Sequence, residues 1–327
     1  MNDGQCSDHA IGRRQLTTAR VGRLAPSPTG AQHVGNARTY LLAWLSVRSQ
    51  GGRVILRIED IDSPRVKAGA ADQALDDLRW LGLDWDEGPI RQTERLPLYE
   101  GALEHLRKQE LVYPCTCSRS DVEQAASAPH QEHEGPAYPG TCRGRKAADA
   151  ASLGQRPFAW RFRAGVRTPP FLDGFRGPTS LEPAGDFVVW KSAGTPAYQL
   201  AVVVDDAAMG VTEVIRGDDL VPSTPRQLLL YEALGLPPPR FIHVPLVVGP
   251  DGRRLAKRHG DTRLSTLRDA GVSAPLLLGL LAWSCGWLER IEPVTLDALV
   301  PLCRLETIPR EPFVLTPERL RTIGFSA

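Results

Sequence analysis

Arg23-Leu24-Ala25-Pro26-Ser27-Pro28-Thr29-Gly30, followed after two residues by His33-Val34-Gly35-Asn36, is the stretch that decides how this chain folds. Before it, Val21 to Leu24 reads as a short apolar strand. After it, Val34 to Ser49 carries a helical pattern with Leu41, Leu42 and Leu45 on one face, closed by Gly51-Gly52. Val54 to Ile58 then reads as a buried strand that ends in the acidic cluster Glu59, Asp60 and Asp62. Strand, helix and strand in that order predict a parallel sheet and an α/β, Rossmann-like core. A helix N-terminus offers free N–H groups and the positive end of a dipole, which suits phosphate. Gly35 lets the backbone come close to a nucleotide, and His33 and Asn36 add donors without formal charge. Taken alone, a His in a Pro-rich turn is more often incidental.

Neither G-x-x-x-x-G-K-[ST] nor G-x-G-x-x-G occurs, so a P-loop or an ordinary dinucleotide site is excluded. Further along, Arg253-Arg254-Leu255-Ala256-Lys257-Arg258 supplies a second cationic loop just after a predicted strand. By itself such a run is usually a solvated turn. Lysine is scarce, with five against a total of 39 basic residues, so a lysine kept in such a loop carries information.

Working outward, residues 71–82 and 97–111 have helical periodicity. The pattern breaks at Cys115-Thr116-Cys117, and from there to about 176 Pro, Gly, Ala and Arg dominate, with a helix-like segment near 118–127. Leu200 to Val204 resumes strand character, Val214-Ile215 is a further strand, and Pro225 to Leu234 is helical. Phe241 to Val248 is another strand, and the chain from about 264 onward reads as mostly helical. These shifts divide it into a flexible tail (1–18), a first core half (19–114), an insertion (115–190), a second core half (191–248) and a basic loop with a helical end (249–327).

The chain has 327 residues, 42% of them hydrophobic, enough for a sizeable core. Its formal charge of +1 excludes a protein that coats nucleic acid by bulk charge, so any RNA contact is local. The longest apolar run, Ala274 to Leu288, is too short for a bilayer span and reads as a buried helix. The N-terminus has no apolar signal segment, so a cytoplasmic protein without membrane contact is expected; a monomer is the separate expectation for its assembly. Two basic stretches are candidates for RNA: residues 139–176, with eight Arg/Lys against two Asp, and 251–268, with six against two. Trp160 and Phe162, between arginines, fit either base stacking or strand core.

Of six cysteines, Cys115, Cys117 and Cys142 lie close in sequence, and three thiolates can converge on one tetrahedral zinc. On spacing alone His130 or His133 is the conventional fourth ligand, ahead of Tyr138. Cys285 and Cys303 read as core residues and Cys6 as part of the tail.

Five ordered blocks together resemble the class I glutamyl-tRNA synthetases: Arg23 to Asn36, Arg57 to Asp62, Ala197 to Asp206, Val214 to Gly217, and the loop at 254–258. His33 to Asn36 is similar to the HIGH signature of that family and Arg254 to Arg258 to its KMSKS loop. The resemblance implies a Rossmann-like class I catalytic core with a zinc-bearing insertion and a short helical end. After Arg258 only 69 residues remain, so no anticodon-binding domain is expected. It further implies the short branch of the family, which activates L-glutamate with ATP and Mg²⁺ without tRNA. That branch attaches the glutamate to queuosine at the wobble position of tRNA(Asp), so the anticodon stem-loop is the expected RNA partner. On this resemblance Arg23, Leu24, Ala25, Pro26, Ser27, Glu59, Tyr198 and Arg216 surround the glutamate, with Glu59 at its amino group. His33, Gly35, Asn36 and Lys257 hold ATP, with His33, Asn36 and Lys257 catalytic. Zinc is held by Cys115, Cys117, Cys142 and, in place of a histidine, Tyr138. Arg254 and Ala256 depart from the KMSKS pattern, and Val202 and Leu220 from the residues of the longer enzymes, which implies a glutamate pocket of altered affinity. A minimal synthetase charging a tRNA 3′ end, and a non-catalytic tRNA-binding module, remain the alternatives.

Overall fold

The computed structural model describes residues 19–61, 66–118, 120–122, 138–183, 185–255 and 261–326. Three parallel strands begin the chain: β1 (Val21–Leu24), β2 (Arg53–Ile58) and β3 (Glu87–Arg91), in the order β1-β2-β3. Helix α1 (Val34–Arg48) makes the first crossover, α2 (Ala70–Trp80) the second, and α3 (Leu96–Lys108) follows β3. The predicted β-α-β start is therefore present.

Two further parallel strands, β9 (Glu213–Gly217) and β10 (Arg240–Val244), stand on the other side of β1. Thr212 joins the two halves: its backbone N–H donates to Val21 O at 2.9 Å, and its hydroxyl accepts from Val21 N at 2.9 Å. The chain thus leaves β1 in one direction for β2 and β3 and returns on the opposite side as β9 and β10. In open α/β sheets a ligand crevice forms where strand order reverses in this way, beyond the C-terminal ends of the strands.

Strand period divides the core into two faces. Leu24, Leu56, Ile58, Ile215 and Ile242 pack with α1 on one face. Val21, Ile55, Val214 and Phe241 pack on the other with helix α4 (Tyr198–Ala208). Arg23, Arg57 and Arg216 share the alternation of Val21, Ile55 and Val214, so all three project toward the face that α4 covers. Glycine is required at position 22, where a Cβ would stand 2.4 Å from Val47 Cγ2 in α1.

The segment Leu200 to Val204 is helix, which corrects the strand expectation. Leu200 to Asp206 is buried without a break, and a short apolar run buried all round carries no periodicity to separate helix from strand. The segment from Phe241 to Val248 is also divided, into β10 and the two-residue β11 (Val247–Val248), with Pro245 between them. Between the core halves, β4 (Val112–Cys115), β5 (Ala159–Phe162) and β8 (Phe187–Trp190) form an antiparallel sheet, and β6 (Phe171–Asp173) and β7 (Gly177–Thr179) form a hairpin. The sheet of the insertion therefore starts at Val112. Trp160 and Phe162 are buried in it and serve as strand core.

Past residue 261 the helical expectation holds only in part. The helices are short, and α7 (Ala274–Ser284), after α6 (Leu264–Asp269), is the longest of them. Turns and a two-residue strand, Phe313–Val314, separate the rest. Cys285 is fully buried and Cys303 partly so, while Cys6 lies outside the described residues. Among the described residues no helix is long and apolar enough to cross a membrane.

Candidate functional site

A cleft opens at the C-terminal ends of β1 and β9, with about 900 Å³ of space including open solvent. Of the residues expected around glutamate, Arg23, Ala25, Glu59, Tyr198 and Arg216 line it. Of those expected around ATP, His33, Gly35 and Asn36 do. Leu24 points its side chain into the core, because it alternates with Arg23. Pro26 and Ser27 hold the backbone of Glu59: Pro26 O accepts from Glu59 N at 3.0 Å, and the Ser27 hydroxyl donates to Glu59 O at 3.3 Å. They fix the end of β2 and leave the lining to their neighbours. Leu220 lines the cleft, whereas Val202 is buried in the core beneath it.

Charge in the cleft is held by a buried array. Arg57, fully buried, donates to Asp206 at 2.6 Å and to Glu59 at 2.9 Å. Asp206 also faces Arg23 Nε at 3.4 Å. Its neighbour Asp205 accepts from Gln92 (2.8 Å), Arg95 (2.7 Å) and Tyr99 (2.8 Å). Buried carboxylates require such pairing, since desolvation otherwise disfavours the ion. The sequence reading named Arg57, Asp205 and Asp206 only as parts of motif blocks. For Arg57 the alternation with Ile55 in the strand was the signal that it faces inward; Asp205 and Asp206 follow an unbroken apolar run, which gives their burial but not their direction.

Arg216 is different. It is 4% exposed, yet among the described residues it has no carboxylate within ion-pair distance. Its Nε donates to His243 Nε2 at 2.9 Å and its Nη2 to the Thr224 hydroxyl at 2.9 Å, while Nη1 makes no hydrogen bond. Arg23 Nε is likewise without a hydrogen bond, although it faces Asp206. Both guanidiniums line the one cavity and put positive charge beside it, which suits a carboxylate. Tyr198 is 37% exposed overall, but burial of its hydroxyl, facing Arg216, Glu59 and Arg23, raises its pKa.

At the nucleotide end the free N–H groups expected of α1 are already occupied. His33 Nδ1 accepts from Gly35 N at 3.1 Å and Asn36 N at 3.4 Å, Val34 N donates to Thr262 O at 3.1 Å, and Ala37 N donates to His33 O at 3.0 Å. The cap consumes the orphan donors, so the helix dipole remains while the hydrogen bonds to phosphate must come from side chains. Those left over are His33 Nε2–H and the Asn36 amide, whose Oδ1 accepts from His33 N at 3.1 Å. Burial, and then the charge of Arg254, lower the His33 pKa to about 4, so the ring is neutral at pH 7 and donates through Nε2. Gly35 also has a reason other than the one its sequence suggested. A Cβ there would lie 2.9 Å from His33 Cε1, so the glycine makes room for the capping ring.

The second cationic loop reaches the same cleft. Arg254 bridges in antiparallel fashion to Val248, pairs with Asp219 at 3.0 Å and lines the cleft together with Leu255. On the far side of the loop, Arg263 bridges to His33 and Leu264 N donates to Gln32 O at 2.9 Å. Ala256, Lys257 and Arg258 lie outside the described residues, as do Asp62, His130 and His133.

In the insertion the sulfurs of Cys115, Cys117 and Cys142 lie within 4.8 Å of one another, and among the described residues this is the one such cluster. The Tyr138 hydroxyl is 3.4 Å from Cys115 Sγ and 3.6 Å from Cys117 Sγ, and Cys117 and Cys142 are 3.6 Å apart. A tetrahedral zinc with Zn–S near 2.3 Å needs ligand atoms roughly 3.8 Å apart, so these four donors fit it. Burial pushes the Cys117 thiol up to about 11. Burial opposes the thiolate of Cys142 as well, but a backbone hydrogen bond involving Thr116 and a hydrogen bond to Tyr138 bring it down to about 7.

The arginines of 139–176 are largely engaged. Arg143 makes a two-pronged pair with Asp186 at 2.7 and 2.8 Å, and Arg161 sits over the Tyr138 ring at 3.8 Å. Arg163 donates to the carbonyls of Glu110, Arg143 and Arg145, and Arg167 clasps Glu232. Arg143, Arg161 and Arg163 brace the cysteine module, and this part of the basic stretch owes its charge to that scaffold.

The family model for tRNA synthetases class I (E and Q), catalytic domain, matches residues 20–289. A glutamyl-Q tRNA(Asp) synthetase of Symbiobacterium thermophilum is 51% identical over 93% of this chain and 98% of its own length. A glutamate–tRNA ligase of Geobacter sulfurreducens is 43% identical over 91% of this chain but 64% of its own. Among solved structures, a glutamate tRNA ligase from Elizabethkingia meningosepticum in complex with its amino acid superposes with a TM-score of 0.79 at 27% identity, over 94% of this chain and 69% of that one.

Proposed function

Since this chain belongs to the class I (E and Q) tRNA synthetases, we propose that it activates L-glutamate with ATP and passes it to queuosine in tRNA(Asp). The observation that carries the glutamate reading is Arg216, a buried guanidinium with a free Nη1–H beside the cavity and no carboxylate counter-ion among the described residues. The side-chain carboxylate of glutamate supplies that counter-ion; the uncharged amide of glutamine does not. Glu59, held by Arg57, receives the ammonium group, and Tyr198 and Arg23 complete the pocket.

Activation is an in-line attack of the α-carboxylate on the α-phosphate of ATP, with release of pyrophosphate. His33 Nε2–H and the Asn36 amide donate to phosphate oxygens, the dipole of α1 favours the same charge, and Lys257 stabilises the charge that develops on pyrophosphate. Support for the last role comes from its loop, whose described flanks, Arg254 and Thr262–Arg263, both meet the His33 region. Mg²⁺ enters with ATP. Zinc on Cys115, Cys117, Cys142 and Tyr138 is structural and ties the end of β4 to the chain at Cys142.

For the acceptor, the glutamyl-Q relative is matched over nearly its whole length and the glutamate–tRNA ligase over about two thirds of its own. This supports queuosine in the anticodon stem-loop as the acceptor; a cytoplasmic monomer is part of the same proposal. The test of activation is glutamate-dependent ATP–pyrophosphate exchange without tRNA. Robust exchange with L-glutamate but not L-glutamine, and a KM for glutamate raised about a hundredfold by Arg216→Gln, are expected. Absence of exchange would leave a tRNA-binding module instead.

A further inference from the structure

The residues that hold Arg216 belong to elements far apart in sequence. Asp173 ends the first strand of the β6–β7 hairpin, His243 lies in β10, and Thr224 lies in α5 (Ser223–Ala233). All are buried. The Asp173 carboxylate is 2.6 Å from His243 Nδ1 and also accepts from the backbone of Phe175 (2.9 Å), Arg176 (2.8 Å) and His243 (3.2 Å). Surrounded by donors, it stays ionised: its hydrogen bonds outweigh burial and keep its pKa below the ordinary value.

A guanidinium only donates, so His243 Nε2 must accept from Arg216, and the ring hydrogen must sit on Nδ1 facing Asp173. The order carboxylate, imidazole, guanidinium thus has one consistent set of proton positions. It fixes Arg216 Nε, Thr224 takes one hydrogen of Nη2, and Nη1 is the nitrogen left without any partner. Phe241 stacks beside the imidazole with ring centroids 6.3 Å apart and lies under the Arg216 guanidinium at 5.0 Å, which leaves the fork little room to turn.

We infer that Asp173 and His243 are positioning residues for substrate recognition, holding Arg216 so that its unpartnered Nη1 side meets the carboxylate of the amino acid. Neither touches the cleft itself, since neither lines it. Asp173 comes from the hairpin inserted between the core halves, so this hairpin sets glutamate affinity at a distance. The inference rests on the glutamate site proposed above and adds to it the parts that orient it.

The experiment is pyrophosphate exchange with L-glutamate and ATP varied separately, on the whole chain. His243→Phe keeps the ring volume but offers Arg216 no acceptor; it is expected to raise the KM for glutamate at least tenfold, with kcat and the KM for ATP within about threefold. His243→Gln, whose carbonyl can accept from Arg216 while its amide donates to Asp173, is expected to restore most of that loss. Thr224→Val removes the second acceptor with little change of shape and is expected to shift the same constant, so the inference stays testable if His243→Phe does not fold. Loss of kcat and both KM values together, or no rescue by glutamine, would make the array a purely structural feature and overturn the inference. If Arg216→Gln leaves the KM for glutamate unchanged, the glutamate site itself fails. If it raises that KM while His243→Phe and Thr224→Val do not, only the present inference fails.

Discussion

His33 and Asn36 cap each other: Asn36 Oδ1 accepts the His33 N–H at 3.1 Å, and His33 Nδ1 accepts the Asn36 N–H at 3.4 Å. The cap needs a neutral imidazole, because protonation puts hydrogen on the accepting nitrogen. With the folded pKa lowered to about 4 from 6.5, the unfolded chain binds the extra proton first as pH falls. The stability from this group is complete above about pH 7 and is lost between there and about pH 4, by on the order of 3 kcal/mol at most. In urea unfolding, His33→Asn, which caps without titrating, should flatten that part of the pH dependence. An unchanged slope between pH 7.5 and 5 would contradict it.

Asp206 bridges Arg57 and Arg23 without solvent. Asp206→Asn leaves two buried cations short of one counter-ion, and a loss of about 3–5 kcal/mol is expected in urea unfolding. A midpoint equal to wild type would show that Asp205 and Glu59 suffice.

Much of this site is legible in the sequence because it lies where motif and strand end coincide. Arg23, Glu59 and Arg216 stand at or just past the C-terminal ends of strands that periodicity finds, and His33 opens a helix that leucine spacing finds. What the sequence hides is direction and partnership. Leu24 and Arg23 sit side by side in a motif, yet strand pleat sends one to the core and the other to the cleft. Val202 reads as a pocket residue until its strand proves to be a helix. Asp173, Thr224 and His243 give almost no local signal, beyond one histidine inside an apolar strand, since they meet only after 70 residues of chain have folded.

One zinc per chain is expected by elemental analysis, lost in Cys117→Ser. Tyr138→Phe should weaken zinc binding, whereas His130→Asn and His133→Asn should not. Retention by Tyr138→Phe with loss in either histidine variant would reassign the fourth ligand, and a folded, metal-free protein would remove the zinc altogether.

Lys257→Ala should slow glutamate activation by on the order of a hundredfold, about 3 kcal/mol, by analogy with removal of one donor to a developing oxyanion. Wild-type exchange rates in this variant would take Lys257 out of the chemistry.

Glutamate activated in the cleft is expected to go to a modified base. Transfer of radiolabelled L-glutamate to tRNA(Asp) with and without queuosine tests it most directly. Label is expected only on the queuosine-containing tRNA; equal labelling of both would mark a 3′-end charging enzyme and rule out transfer to the modified base.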